Sequence, residues 1–569
     1  MDLTNMTPED FIYAPDTVAL VLDSNAASYL NPEQEPYILM GKELSGGYFI
    51  IYVNENDVDR VINRFASLTA SVFPFTLGLL VERALRAAGI IQVKQQPYLN
   101  LRGSGVLLGF VDTGIDYTLN AFRYEDGSSK IQYIWDQTIR GNPPEGYLYG
   151  YEYNNEAINQ ALRSPNPYNV VAHRDTVGHG TFLASVAASR EQGEYIGAAP
   201  DAEIIAVKLK KARPFNYRRH LIPRKQENAF TSDDFMMGIQ YILDKAQELR
   251  RPVAICVSLG TNSGTRDGFT RMEGYLSRVS GIAGTVICCA AGNEANTGRH
   301  THGRIPFTGE SQNIELRASD KLEDIYIQIV NYASDRISAA VTSPTGEHIS
   351  RVPARSGIIS TNRLVLERST VIIEYLFPIE ISGAQIIRVK ILSATPGVWT
   401  ITLYGDSILD GTYHAYLPIA GFIDPGTVFL APTPNYTILT PATALGPITC
   451  GAYNSHNNSL YAASSWGPTR LPSIKPDLVA PGVDVAGIFP TGYGSMSGTS
   501  VAAAITAGAS ALMLQWGIVE GNDFLMDTYH IRAALIAGCE RDLNTDYPNN
   551  QWGYGRMNLF NTFRSLRPH

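Results

Sequence analysis

Cysteine is scarce in this chain of 569 residues: there are five, an odd number, and no two form a Cys-x-x-Cys pair. That leaves no disulfide framework and no zinc site to organise the fold. Cys288 and Cys289 sit in the apolar run GTVICCAAGN, where reduced thiols pack as small hydrophobes. Ligand spacing of the EF-hand kind is missing too, and neither a metal nor another cofactor is expected. No apolar run reaches the length of a membrane span. The alanine-rich stretch from Val501 to Leu514 is too short, and Thr506, Gly508 and Ser510 interrupt it. The N-terminus, MDLTNMTPEDFIYAPD, lacks a basic segment followed by an apolar one. It therefore predicts cytoplasmic synthesis without a signal peptide. A positive excess is lacking as well: the net charge is -9, which argues against nucleic acid as a partner.

What is present is an ordinary globular composition, 44% hydrophobic, with length for two to four domains. Residues 1–96 read as a small α+β unit. GGYFIIYVN predicts a strand; Val58, Val61, Ile62 and Phe65 have helical spacing. LLVERALRAAGI predicts a second helix ended by Gly89, and IQVKQQPYLN an extended tail. From 97 to 304 apolar strands alternate with helices. GVLLGFVD, AEIIAVKL, PVAICVSLG and GTVICCAAGN are the strands. GTFLASVAAS and SDDFMMGIQYILDKAQEL are helices, the latter with Ser232 as its expected N-cap. This alternation predicts an α/β fold, a parallel sheet covered by helices. From 305 to 438 strand-like runs dominate, such as IYIQIVNY, TVIIEYLF and VWTITLYG, and predict an inserted all-β sandwich or jelly roll. Helical segments return at 500–516 and 527–538, so that residues 439–569 are expected to complete the domain begun at 97–304. Between Lys208 and Lys225 stand eight Lys and Arg and no acidic residue. The run reads as a solvated basic loop, or else as an exposed surface for an acidic partner or a protease-sensitive loop.

Several motifs carry chemistry-bearing residues. In GFVDTGID, Asp112 leaves an apolar strand at the end where open α/β sheets place functional groups. The glycines of GSGVLLG precede that strand, whereas a dinucleotide loop must follow one and open a helix. A single DTG does not supply the two carboxylates of an aspartic peptidase. In DTVGHGTFLAS, His179 lies between two glycines at a helix start, where backbone and substrate can approach the imidazole closely. A histidine by itself is usually structural. In AAGNE, Asn293 leaves a buried strand; it is either a turn residue or an amide donor for a developing oxyanion. GSMSGTSVAAAITAG sets Ser495, Ser497, Thr499 and Ser500 before a run of small residues. Serine needs a base to become a nucleophile. A helix N-terminus offers free N–H groups to the oxyanion.

DTGID, HGTFLAS, AAGNE and SGTSVAAA, in that order, resemble the subtilisin-like (subtilase) serine peptidases. IGAAPDAEIIAVKL, SSWGPT, KPDLVAPG and WGYGRMN fit the same pattern. The resemblance implies Ser500 as nucleophile, His179 as general base and then acid, and Asp112 as the group that orients His179. It implies Asn293 as oxyanion donor. It also implies Ser258, Leu259 and Gly260 as the strand that pairs with an extended protein or peptide substrate. The other three hydroxyls are expected to shape the turn or cap the helix. Residues 1–96 then resemble a propeptide, a chaperone whose tail enters the active site, so that the chain's own propeptide is a partner. The cut is expected after Lys94 or Gln95, since Pro97 disfavours the Gln96–Pro97 bond.

A propeptide, no visible signal and an internal jelly roll together resemble the Csp germination proteases of clostridial spores. QQPYLNLRGSGVLLGFVDTGIDYTLNAF carries that likeness. The resemblance implies spore association and selective cleavage of a spore cortex-lytic proenzyme. A broad degradative peptidase and a propeptide-blocked pseudoprotease that acts by binding are the alternatives. It also implies that the insert clamps the catalytic domain; a substrate-docking module is the other reading.

Overall fold

A computed structural model describes residues 6–31, 35–63, 72–74, 76–79, 86–94, 96–192, 195–471 and 473–566. Near the N-terminus, β1 (Thr17–Asp23), β2 (Ile38–Leu44) and β3 (Tyr48–Asn54) form an antiparallel sheet in the order β1-β3-β2. Successive side chains of a strand point to opposite faces. Val18, Leu20, Leu22, Ile51 and Val53 therefore join Val58 and Val61 in a small core of their own, while Ala19, Val21, Tyr48, Ile50 and Tyr52 pack into the core of the central domain.

The helix expected from Val58 onward is short, Val58–Ile62, and Phe65 lies outside the described residues. Most of LLVERALRAAGI also lies outside them. Its described ends are the last residue of a strand, β4 (Thr76–Leu79), and a 3-10 turn at Arg86–Ala88. The expected extended tail is instead helical at its start, α1 (Ile90–Lys94). Ile90 and Val93, three residues apart, share one face of that turn and reach the main core.

The central sheet comprises β5 (Leu107–Asp112), β6 (Ile131–Asp136), β7 (Glu203–Lys208), β9 (Val253–Val257), β11 (Thr285–Ala290), β12 (Ile448–Asn454) and β13 (Leu478–Pro481). Two shorter strands, β8 (Phe230–Thr231) and β10 (Leu259–Gly260), lie outside it. The seven run parallel in the order β6-β7-β5-β9-β11-β12-β13. Short antiparallel strands flank it, Tyr151–Asn154 beside β6 and Ser459–Leu460 beside β12.

Both faces are covered, which is why these strands read as unbroken apolar runs. Leu108, Phe110, Ala254, Cys256, Val286 and Cys288 lie under α2 (His179–Ala188) and α6 (Thr499–Leu514). Leu107, Val111, Ile205, Val253, Ile255 and Ile287 lie under α4 (Ser232–Leu249) and α5 (Arg271–Val279), with the N-terminal sheet beyond them. α3 (Pro214–His220) sits at the edge of this arrangement. Helix α4 starts at Ser232, so the N-cap is Thr231 rather than Ser232. All five cysteines are buried and free.

Helix α6 continues through Gln515–Val519, and Thr499–Val519 is long and apolar enough to cross a membrane by length and composition. In the protein, 89% of its apolar window is buried, as befits a core helix. Small residues let it approach its neighbours: a Cβ on Gly508 would fall 2.4 Å from that of Ala198.

Between β11 and β12 the chain forms two antiparallel sheets of six and five strands, running from His300 to Phe429. They enclose an apolar core that includes the fully buried Trp399. The β-rich insert thus begins at His300 rather than at 305. It is bonded to the central domain through Gln328 Nε2 to the Gly264 carbonyl (2.8 Å), Asn262 Nδ2 to the Leu417 carbonyl (2.9 Å) and Tyr332 Oη to the Arg470 carbonyl (3.0 Å).

The basic run is not a loop. Helix α3 fills its middle, opening on Pro214, whose missing N–H costs nothing at a first helical position. Phe215 stacks on Phe73 at 5.8 Å, and the Arg219 guanidinium lies 3.7 Å over the Phe73 ring. Arg218 pairs with Glu55 of the N-terminal unit, and the His220 ring meets Tyr326 of the insert at 5.9 Å. Lys210 pairs with Asp234, and Arg213 lies 3.3 Å from Asp233. The carboxylates that balance this charge come from other segments, which is why the run itself contains none.

Candidate active site

Asp112 ends β5, whose two neighbours in the sheet, β7 and β9, both come later in the chain. The strand order reverses there, so a crevice opens at the carboxyl end. The Asp112 carboxylate accepts the Thr113 N–H at 2.7 Å and the Ser258 hydroxyl. Burial pushes its pKa upward, but the His179 imidazole, the Ser258 hydroxyl and the Thr113 N–H outweigh burial and hold it below the usual carboxylate value.

His179 is the first residue of α2, and both flanking glycines are needed there. Gly178 has φ +88°, a left-handed conformation that disfavours any Cβ. A Cβ on Gly180 would lie 2.2 Å from the Gly114 carbonyl oxygen and 3.2 Å from Asp112 Cβ. Without it, α2 comes close enough for His179 Nδ1 to lie 2.8 and 2.9 Å from the two Asp112 oxygens. Asp175 holds the helix start, accepting from the N–H groups of Val177, Gly178 and Thr181 and from the Thr181 hydroxyl. With Nδ1–H donating to Asp112, Nε2 is the basic nitrogen of the ring.

Ser500 is the second residue of α6, where backbone N–H groups have no intrahelical acceptor. Its Oγ donates to the Ser258 carbonyl at 3.4 Å. Ser258 therefore touches both Asp112, through its hydroxyl, and Ser500, through its carbonyl. Asn293, in the loop that follows β11, accepts on Oδ1 from the Thr499 N–H (3.1 Å) and the Thr499 hydroxyl (3.2 Å). The same hydroxyl accepts the Gly292 N–H at 3.0 Å. With Oδ1 bound to the helix start, the Nδ2 end of the amide is the one left to donate elsewhere.

Thr499 is thus more than the turn or cap residue that its position suggests; it orients Asn293. The only signal in the sequence is that it directly precedes Ser500. Ser258 likewise does more than lie in a pairing strand. A second buried pair is invisible in the motifs: His173 Nδ1 lies 2.6 Å from Asp136, and its Nε2 accepts the Ile115 N–H at 3.2 Å. Both of its ring nitrogens are engaged, so it buttresses the loop after Asp112. Among the described residues no group of three or more His, Cys, Asp or Glu side chains converges in metal-binding geometry.

Of the expected pairing strand Ser258–Gly260, Leu259 and Gly260 form β10 and are already paired. β4 lies between β10 and β8, antiparallel to both. Leu79 faces Leu259 and Gly78 faces Gly260; on the other side, Leu77 faces Phe230 and Thr76 faces Thr231. Gly260 admits no side chain there, since a Cβ would fall 2.9 Å from Leu439 Cδ1. The segment expected in this groove, ending near Lys94, is elsewhere: Lys94 closes α1, with Nζ on the Gly197 carbonyl at 2.8 Å, and Gln95 lies outside the described residues. Four residues in register with two neighbouring strands, rather than the composition of the tail, decide which segment of the N-terminal unit fills the groove.

Comparison with known proteins gives a match to the model of the subtilase family over residues 103–343 and 430–555. Among solved structures, the Clostridium perfringens CspB protease superposes with a TM-score of 0.75 at 31% identity, over 85% of this chain and 99% of that one. Among curated proteins, the subtilase-type proteinase RRT12 of Saccharomyces cerevisiae is 31% identical over 109 residues, 18% of this chain and 21% of that protein. The PII-type proteinase of Lactococcus lactis subsp. cremoris is 22% identical over 513 residues, 80% of this chain and 25% of that protein. The chain thus spans a quarter or less of the length of these two curated relatives.

Proposed function

Because the chain belongs to the subtilase family, we propose that it is a serine endopeptidase that cleaves first its own N-terminal unit and then a protein substrate. The observation that carries this reading is the bonded cluster of Asp112, His179, Ser258 and Ser500 at the switch point of the sheet. In this reading Ser500 Oγ attacks the substrate carbonyl while His179 Nε2 takes its proton. Asp112 holds the imidazole by Nδ1 and stabilises the imidazolium that forms. The oxyanion accepts from Asn293 Nδ2 and from the Ser500 N–H at the positive end of α6. The proton then passes from His179 to the leaving amine, and water hydrolyses the ester by the same route in reverse. Substrate backbone adds as a strand between β10 and β8.

For the substrate, we propose a single protein, a spore cortex-lytic proenzyme cut during germination, with the enzyme associated with spores. The likeness to the CspB protease supports this choice. β4 in the groove supports a chain that stays silent until its own cut is made. Incubating the processed protein with casein and with a cortex-lytic proenzyme separates the readings. Cleavage of the proenzyme at one bond, with casein untouched, is expected. Rapid degradation of casein would favour a degradative peptidase. Loss of all activity in Ser500→Ala is required in either case.

A further inference from the structure

We propose that the seam between α3 and the insert binds a small, doubly charged oxyanion of the phosphate class, held by Arg219, Arg388 and Lys390. The inference is independent of the peptidase reading. Arg388 and Lys390 are two residues apart on the strand Gln385–Ala394, so they point to the same face. The other face supplies Ile387, Val389 and Ile391 to the insert's own core. On the neighbouring strands, Glu374 and Gln328 stand opposite Arg388, and Ile372 and Tyr326 stand opposite Lys390. The last two residues of α3 lie against this face. The His220 ring meets Tyr326 at 5.9 Å, and the Arg219 guanidinium covers Phe73, which lines one cavity with Gln328 and Arg388.

Charge is unbalanced at this seam. Arg388 Nη1 donates to Glu374 at 3.2 Å, and among the described residues that is the only ion pair made by Arg219, Arg388 or Lys390. Arg218, next in the chain to Arg219, has Glu55; Arg219 has no such partner. Three cations therefore share one carboxylate, an excess of two positive charges. Arg388 is only 7% exposed, and its Nε, like that of Arg219, is buried without a hydrogen-bond partner. Buried donors of this kind cost stability until an acceptor reaches them. Burial, together with the like charges alongside, lowers Lys390 to about 8 and Arg219 to about 10, and holds His220 neutral.

The residue types define the ligand. Two negative charges match the excess. A guanidinium fork presents paired N–H groups to two oxygens of one anion, and an ammonium adds a point charge. Chloride has a single charge and no second oxygen to meet the fork. Arg219 and Lys390 are half-buried and Arg388 is buried, so the seam closes around its ligand. That favours a free oxyanion over a phosphomonoester carried on another chain. The bound ion joins α3 of the central domain to the insert, where their cations otherwise repel.

The full chain carrying Ser500→Ala tests this by equilibrium dialysis against labelled inorganic phosphate at pH 7, with ionic strength held constant by sodium chloride. Saturable binding of one phosphate per chain is expected, with a Kd of about 1 mM or tighter. Arg219→Gln and Lys390→Met, added singly, should each weaken binding about tenfold or more, the value of one charge-assisted contact. In chloride alone each variant should melt at a higher temperature than its parent, because a like charge is gone. Phosphate should raise the Tm of the parent and leave that of the variants nearly unchanged. Sulfate should compete for the site, and O-phosphoserine should bind more weakly than phosphate. Absence of saturable binding, or binding unchanged in both variants, would overturn the proposal. So would an equal rise of Tm in all three proteins, which is the general effect of an excluded salt. Tighter binding of O-phosphoserine than of phosphate would overturn the assignment of a free ion.

Discussion

At the scale of single residues, the proposed catalytic cluster depends on neighbours that look ordinary in the sequence. Thr499 binds the carbonyl end of Asn293 with both its N–H and its hydroxyl. Thr499→Val keeps the shape and removes the hydroxyl. The expected loss is about tenfold in kcat with KM unchanged, the value of one oriented hydrogen bond. Asn293→Ala should cost about 10²–10³, the effect known for this donor in subtilisin, itself a member of the family. Added to Asn293→Ala, Thr499→Val should cost little more, because the group it orients is gone. Steady-state rates on a peptide substrate check all three, and full additivity would mean that Thr499 acts on something else.

A second residue makes stability depend on pH. Lys130 is wholly buried, and its Nζ donates to the Ala188 and Pro200 carbonyls at 2.5 Å each. Burial, opposed in part by Asp201, lowers its pKa to about 7. The unfolded chain keeps that proton up to about pH 10.4. Between these values the unfolded state binds more protons, so stability rises with pH. Urea unfolding of the Ser500→Ala protein should show this rise from pH 7 to 9, by at most about 1.4 kcal/mol per pH unit from this group. Lys130→Met should remove it.

At the scale of elements, α3 shows how a charge pattern can mislead. Eight basic residues without an acidic one have the composition of an exposed loop, yet Lys210 and Arg213 are buried and Arg219 lies on Phe73. Backbone held in a packed helix is a poor protease substrate, since a protease must extend it. Limited trypsin digestion of the native protein is therefore expected to spare the bonds after Arg218 and Arg219. Phe215→Ala, which removes the stack on Phe73, should expose them; early cutting there in the unaltered protein would contradict the packing described. α2 and α6 show the opposite case. Their glycines and small residues announced close approach, and the space around Gly180 and Gly508 is as tight as those residues require.

At the scale of the molecule, three units share a junction. Arg271, only 5% exposed, pairs with Asp23 of the N-terminal unit at 3.0 Å and with Glu380 of the insert. Arg271→Ala should lower stability by about 1–2 kcal/mol, less than the 3–5 of a fully buried pair, because both carboxylates are partly exposed and screened. Thermal unfolding of the Ser500→Ala background measures it. Deleting residues 305–438 should go further and abolish folding, because it strips the bonds to Gly264, Asn262 and Arg470 and uncovers apolar surface. A soluble deletion protein that has lost only one substrate would instead favour a docking role for the insert.

The order of DTGID, HGTFLAS, AAGNE and SGTSVAAA was enough to identify the candidate residues. So were the apolar runs for the parallel sheet and the strand-rich stretch for the insert. These are local signals: a strand buried on both faces must be apolar throughout, and a helix pressed against a sheet must be small. Three things needed the folded chain. Thr499 and Ser258 acquire their roles from partners more than a hundred residues away. The basic run meets its carboxylates only when Glu55, Asp233 and Asp234 are brought to it. The segment in the groove is set by register against β8 and β10. Pairing between distant strands depends on backbone hydrogen bonds that nearly any sequence can make, so side-chain patterns alone could not distinguish Thr76–Leu79 from the tail that follows it.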